Sequence, residues 1–141
     1  MQATRTRRAK RPTKPCAKPA PVKTVYVSSS LGASFGEGTT LRPYRSMREA
    51  LEWLRKERGL RTVCVRGGDV FLEGFLSLGC CGEGAANRVT IKPWGDGSPV
   101  FKHRRGSQNF WCPEHMHVTL EGLTFIEIVP WHVRLWRWLT R

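Results

Sequence analysis

The stretch from Ser46 to Gly68, SMREALEWLRKERGLRTVCVRGG, constrains the fold of this chain more than any other. Ser46 and Glu49 stand three apart, the spacing of a capping box. A serine oxygen there accepts from an early helix N–H while the glutamate reaches back to the cap. Met47, Ala50, Leu51 and Leu54 follow at i, i+3, i+4 and i+7, one helical face, with Trp53 on or beside it. Glu52 and Lys56 add a small solvent-side pair. Gly59 stops a helix cheaply in the left-handed conformation. Thr62-Val63-Cys64-Val65 is β-branched and apolar, and Gly67-Gly68 turns the chain. A helix near 46–58 therefore hands over to a strand. On its own, this unit fits any α/β domain.

The rest of the chain narrows the choice through its charge. The net charge of +13 over 141 residues is unevenly divided. Residues 1–23 hold eight Lys or Arg, no acid and four prolines (Pro12, Pro15, Pro19 and Pro21). Such a composition buries too little surface to offset its ordering entropy, so a disordered basic tail is expected. Its Arg7, Arg8, Lys10 and Arg11 are candidate contacts for phosphates, or a nuclear signal. No apolar run follows these charges, so a secretory signal is not expected and an intracellular protein is the default. Residues 24–127 carry thirteen basic and eleven acidic groups and read as an ordinary globular piece with a small core.

Within that piece the strands are short and separated by Gly-rich corners. Thr24–Val27, Val70–Leu72, Phe75–Leu78, Val89–Lys92 (stopped by Pro93), Val118–Leu120 and Leu123–Ile126 read as strands. Pro99–Phe101 is a short extended run, and His103–Glu114 reads as irregular. Thr62–Val65, Val89–Lys92 and Val118–Glu121 form a loose repeat, with 26 residues from Val63 to Val89 and 29 from Val89 to Val118. Units of two or three dozen residues built of very short strands point to a solenoid whose successive strands lie parallel.

The order YVSSS, Gly-rich loop, LRPYRSMREALEWL, TVCVRGGDVFLEG, NRVTIKPWGDGSPVF and VTLEGLTF resembles the start of right-handed parallel β-helix proteins of the pectate-lyase-like superfamily. The resemblance spans about Tyr26 to Ile128. It implies a mainly β fold, a short (truncated) right-handed parallel β-helix of two to three coils over 24–128 with an N-terminal capping α-helix. In that arrangement Ser46, Glu49, Met47, Leu51 and Leu54 form the structural cap. The family acts on or binds polysaccharides, through catalytic carboxylates, basic residues and calcium ligands on coils that would follow Ile128. No catalytic residue of the family therefore transfers to this chain, and no cofactor is expected. A solenoid end left open invites self-association. The basic Trp-rich run 129–141, VPWHVRLWRWLTR, is the segment available to cover it, with Trp131, Leu135, Trp138 and Leu139 on one helical face. A membrane-surface or partner-binding segment and a non-native end also stay open for it. Its thirteen residues are too few to span a bilayer.

Several residues merit weighing for chemistry. Five cysteines, an odd number, argue against a disulfide framework. Cys80, Cys81, Cys112, His115 and His117 are weak zinc candidates: adjacent cysteines replace the usual C-x2-C, and Cys112-Pro-Glu-His115 is half a motif. Asp69, Glu73 and Asp96 are turn acids able to do acid–base work only at a suitable separation. Arg104 and Arg105, beside Phe110 and Trp111, match the basic–aromatic mixture that binds single strands, or else a solvated corner. Two functions compete. One is a catalytically silent N-terminal portion of a pectate-lyase-like protein, with polysaccharide bound through a missing remainder. The other is a basic module binding nucleic acid, a ribonucleoprotein or another acidic surface through its charged ends.

Overall fold

The computed structural model describes residues 21–79, 82–104 and 110–128. The described chain is mainly β, with parallel sheets and one α-helix. In order it forms β1 (Lys23–Val27), α1 (Met47–Lys56), β2 (Arg61–Arg66), β3 (Val70–Phe71), β4 (Leu76–Ser77), β5 (Val89–Trp94), β6 (Val100–Arg104), β7 (Phe110–Trp111), β8 (Val118–Leu120) and β9 (Thr124–Ile128). Three sheets result, ordered β1-β2-β5-β8, β3-β6-β9 and β4-β7, with every strand pair parallel. From β2 onward the chain visits the three sheets in rotation.

Local sequence explains α1. The Ser46 side chain accepts from the Glu49 N–H, and the Glu49 carboxylate accepts from Ser46 and Arg45. Met47, Ala50, Leu51 and Leu54 are buried, and Trp53 packs half-buried against the same core. The helix is shorter than 46–58. Glu57 is already extended, and Gly59, with φ +91°, turns the chain two residues later.

Alternation places one face of each long strand inside. Val25, Val27, Val63, Val65, Val89 and Ile91 are buried from the first sheet, Phe71 and Phe101 from the second, and Leu76 from the third. Each such side chain contributes roughly 1.5–3 kcal/mol on burial. Phe101 stacks on Phe71 at 4.9 Å and on Phe125 at 5.7 Å between ring centroids, and Phe110 meets it edge-on at 5.2 Å.

Three expectations are corrected. The repeat is offset by two residues: Arg61, not Val63, lies opposite Val89, so Val63 faces Ile91 and the spacing from Arg61 to Val89 is 28. A two-residue shift leaves the same side chains facing inward, so alternation alone does not reveal it. The second interval, 29 from Val89 to Val118, is the register formed. Pro93 does not stop β5, which continues to Trp94. Val89 donates to His117 and Ile91 accepts from Glu121, so odd-numbered positions of β5 point toward β8. β8 ends opposite Ile91, and the N–H that Pro93 lacks would find no strand there. The region 103–114, read as irregular, contains the end of β6 and all of β7.

The two outer edges of the first sheet differ. Beside β1, the Tyr26 N–H donates to Gly38, the Tyr44 N–H to Tyr26 and the Ser28 N–H to Tyr44. The loop before α1 thus occupies that edge. No described strand pairs with the far side of β8.

Candidate functional site

The most developed polar cluster lies where β3 passes the N-terminus of α1. It borders an open groove of about 620 Å³ lined by Ser29, Phe35, Arg45, Glu49, Leu72 and Glu73, among others. Asp69 ends the turn after β2 and is buried. Its Oδ2 accepts from Ser28 Oγ at 2.6 Å and the Ser30 N–H at 3.3 Å, and its Oδ1 from Ser30 Oγ at 2.6 Å. Arg66 donates to the same Ser30 hydroxyl at 3.2 Å. Burial alone would raise the Asp69 pKa. The hydrogen bonds from Ser28, Ser30 and the Ser29 backbone outweigh it and hold the carboxyl below its ordinary range. Asp69 is therefore an ionised clamp on the loop that follows β1.

Glu73 lies just beyond β3 and serves α1. Its Oε1 accepts from the Met47 N–H at 2.6 Å and its Oε2 from the Arg48 N–H at 3.2 Å. These are donors that the helix itself cannot satisfy. Burial pushes the Glu73 pKa up. The two backbone bonds and Arg48 pull it down, while Glu49 adds repulsion. A carboxyl with a raised pKa beside a groove has the profile of a general acid. Here, however, both oxygens already accept from the helix, so its geometry is that of a cap supplied from another element.

Asp96 sits exposed on a turn of its own, and Asp69 and Glu73 share no hydrogen-bond partner. The turn of Asp96 lies against the Gly67 turn that leads into Asp69. Of the zinc candidates, Cys80 and Cys81 lie outside the described residues. Cys112, His115 and His117 are exposed, and burial raises the Cys112 thiol pKa. No group of three or more His, Cys, Asp or Glu among the described residues is placed to hold a metal. Of the candidate nucleic-acid contacts, Arg7, Arg8, Lys10, Arg11 and Arg105 also lie outside the described residues, and Arg104 closes β6. No described helix is long and apolar enough to cross a membrane.

Arg61, counted in the sequence only as one charge, is the largest fully buried side chain among the described residues. Its guanidinium donates to the carbonyls of Leu54, Glu57 (2.8 Å), Gly59 (3.1 Å) and Asn87 (2.8 Å). Asn87 in turn accepts from the Gly59 N–H at 2.9 Å. Arg61 thereby closes the C-terminus of α1 and ties it to the next level of the fold. Its position at the start of a strand, in phase with Val63 and Val65, is the sequence signal for its burial.

Comparison with known proteins adds one finding. No protein-family model matches the chain, and no curated protein matches it in sequence. Among solved structures it is similar to a GH136 lacto-N-biosidase from Eubacterium ramulus, with a TM-score of 0.55 and 19% identity. The likeness covers 76% of this chain and 21% of that one, so the chain spans about a fifth of that enzyme's length. It is a distant relationship of β-rich folds and does not single out the pectate-lyase-like superfamily.

Proposed function

We propose that residues 24–128 form the closed first coils of a right-handed parallel β-helix of carbohydrate-related ancestry, and that the chain acts as its scaffold end without turnover of its own. The observation that carries this reading is the rotation of the chain through three parallel sheets at a spacing near 28 residues, closed at one end by α1 and the Tyr44 loop. The likeness to a glycoside hydrolase supports the carbohydrate context. The acids of the polar cluster support the silent role, because Asp69 and Glu73 are engaged by the loop and the helix they hold.

The test is a turnover assay. The chain is incubated with polygalacturonate and with glycans cleaved by lacto-N-biosidases, with and without calcium, from mildly acidic to mildly basic pH. No new reducing ends or unsaturated products are expected above the Asp69→Asn, Glu73→Gln, Asp96→Asn triple variant. Turnover that this triple variant abolishes overturns the silent-scaffold reading and assigns chemistry to these acids. Turnover that survives it places an active site elsewhere on the chain.

A further inference from the structure

The second sheet is one strand shorter than the first. The first sheet opens with β1, and β2, β5 and β8 follow it. In the second sheet β3 follows β2 along the chain, β6 follows β5 and β9 follows β8, so no described strand stands there level with β1. β3 is therefore an edge. Val70 is in register with Val100, and the Val100 N–H donates to the Asp69 carbonyl at 2.8 Å. Odd positions of β3 thus bond to β6, and Val70 turns its own N–H and C=O the other way. Among the described residues neither group meets a partner, and nor does the Leu72 N–H. An open edge of this kind is a template for another strand.

The groove of about 620 Å³ runs along this edge. Val70 and Phe71 line it from β3, Leu72 from just beyond, Phe35 from the loop after β1 and Arg45 from the approach to α1. Its lining is costly to the free protein. Phe35 is 92% exposed and holds φ at +67°, a left-handed conformation that a bulky side chain adopts only under strain. Leu72 is 73% exposed. The Glu49 and Glu73 carboxylates accept from backbone N–H groups around the start of α1. The exposed Arg45 guanidinium is thus the charge of the groove with no described partner. Residues 1–20 and 129–141 of this chain hold no acid to meet it.

We propose that this groove takes an extended peptide of a protein partner, added to the second sheet as the strand beside β3. The peptide backbone pairs with Val70 and Leu72, its alternate apolar side chains lie against Phe35 and Leu72, and an acidic side chain meets Arg45. This site goes beyond the scaffold reading and needs no carbohydrate ligand, so peptide binding and glycan turnover succeed or fail separately.

Binding of fluorescein-labelled, end-capped peptides of about six residues to the full chain tests it. Valine alternates with threonine in these peptides, and glutamate or lysine replaces each threonine in turn. The expected result is saturable binding of a glutamate peptide, with slowed exchange of the Val70 and Leu72 amides. Lysine in place of that glutamate, or N-methylation of the peptide amides, is expected to weaken binding on the order of tenfold. Phe35→Gly removes the ring and the strain together, so it is expected to hold or raise the unfolding midpoint while weakening binding on the order of tenfold. No saturable binding by any of these peptides overturns the proposal, as does equal affinity for the N-methylated peptide or for Phe35→Gly. Should Phe35→Gly unfold, Arg45→Glu decides: it is expected to reverse the preference to the lysine peptide, and an unchanged preference overturns the site. Val70 and Leu72 amides that gain protection without peptide, when the chain is concentrated about tenfold, overturn it in favour of a second copy.

Discussion

Arg61 gathers four carbonyl oxygens from two levels of the fold with one planar group. Removing it leaves the last carbonyls of α1 without their donor in a buried setting, so Arg61→Met is expected to lower the unfolding free energy by about 3 kcal/mol. Arg61→Lys should restore only part of that, since an ammonium lacks the fork that reaches separate acceptors. Denaturant midpoints of the three proteins check this, and a lysine variant as stable as wild type would show that charge, not geometry, matters there. Asp69 and Glu73 make a second residue-scale prediction, with opposite signs. Asp69 has its folded pKa held below the unfolded value of about 3.9. Its contribution is present above about pH 4 and lost as pH falls through the folded pKa. Asp69→Asn should therefore cost about 1–2 kcal/mol near neutral pH and flatten the acid limb of the stability curve. Glu73 has its folded pKa raised above about 4.3 by burial. Its contribution is present below that value and lost as pH rises through the folded pKa, so the stability gap between wild type and Glu73→Gln should narrow as pH rises above about 4. Urea titrations across that range measure the gap, and one that widens with pH contradicts burial as the main influence on Glu73.

At the scale of elements, what was legible in the sequence was local. The capping serine and glutamate of α1, its apolar stripe and the β-branched runs are all set by near neighbours, so their elements follow from spacing. Partners that arrive from elsewhere were not legible. Glu73 reaches Met47 across 26 residues, and Asn87 accepts from Gly59 across 28. The register also escaped, because a two-residue slip preserves the inward face and only the buried Arg61 distinguishes the alternatives. The site was the least legible part. The acids look catalytic as isolated turn residues, and only the groups that donate to them reveal them as clamps. The Phe ladder binds the second sheet, so Phe101→Ala, which removes its middle ring, is expected to cost about 3–5 kcal/mol. Two glycines sharpen the point about turns. A Cβ on Gly67 would run into the carbonyl oxygens of Asp96 and Gly97 on the neighbouring turn, whereas one on Gly59 meets nothing within 4 Å and suffers only from its φ of +91°. Gly67→Ala should therefore destabilise by roughly 2–3 kcal/mol through forced backbone movement, and Gly59→Ala by about 1 kcal/mol. Thermal unfolding of the two variants compares them directly, and equal losses would mean that the neighbouring turn yields freely.

Across the whole molecule, stability should be graded along the stack. β2 and β5 are the inner strands of the four-stranded sheet, paired on both sides, and their inward residues are fully buried. β1 has β2 on one side and the Tyr44 loop on the other, held through Asp69 and through the helix that Glu73 and Arg61 secure at its two ends. Because each level touches mainly its neighbours, opening can begin at an end without disrupting the middle. Native-state hydrogen exchange in rising denaturant is therefore expected to show β2 and β5 opening only with global unfolding. β1 and α1 should open earlier and together, as one unit, since the Tyr44 loop that pairs with β1 leads directly into α1. The Asp69→Asn variant makes the distinction sharp: it should speed exchange of β1 and the loop after it while leaving β5 amides nearly unchanged at low denaturant. Uniform acceleration across all strands would mean that the three sheets unfold as a single cooperative block, and the stacked levels would then have no independent stability.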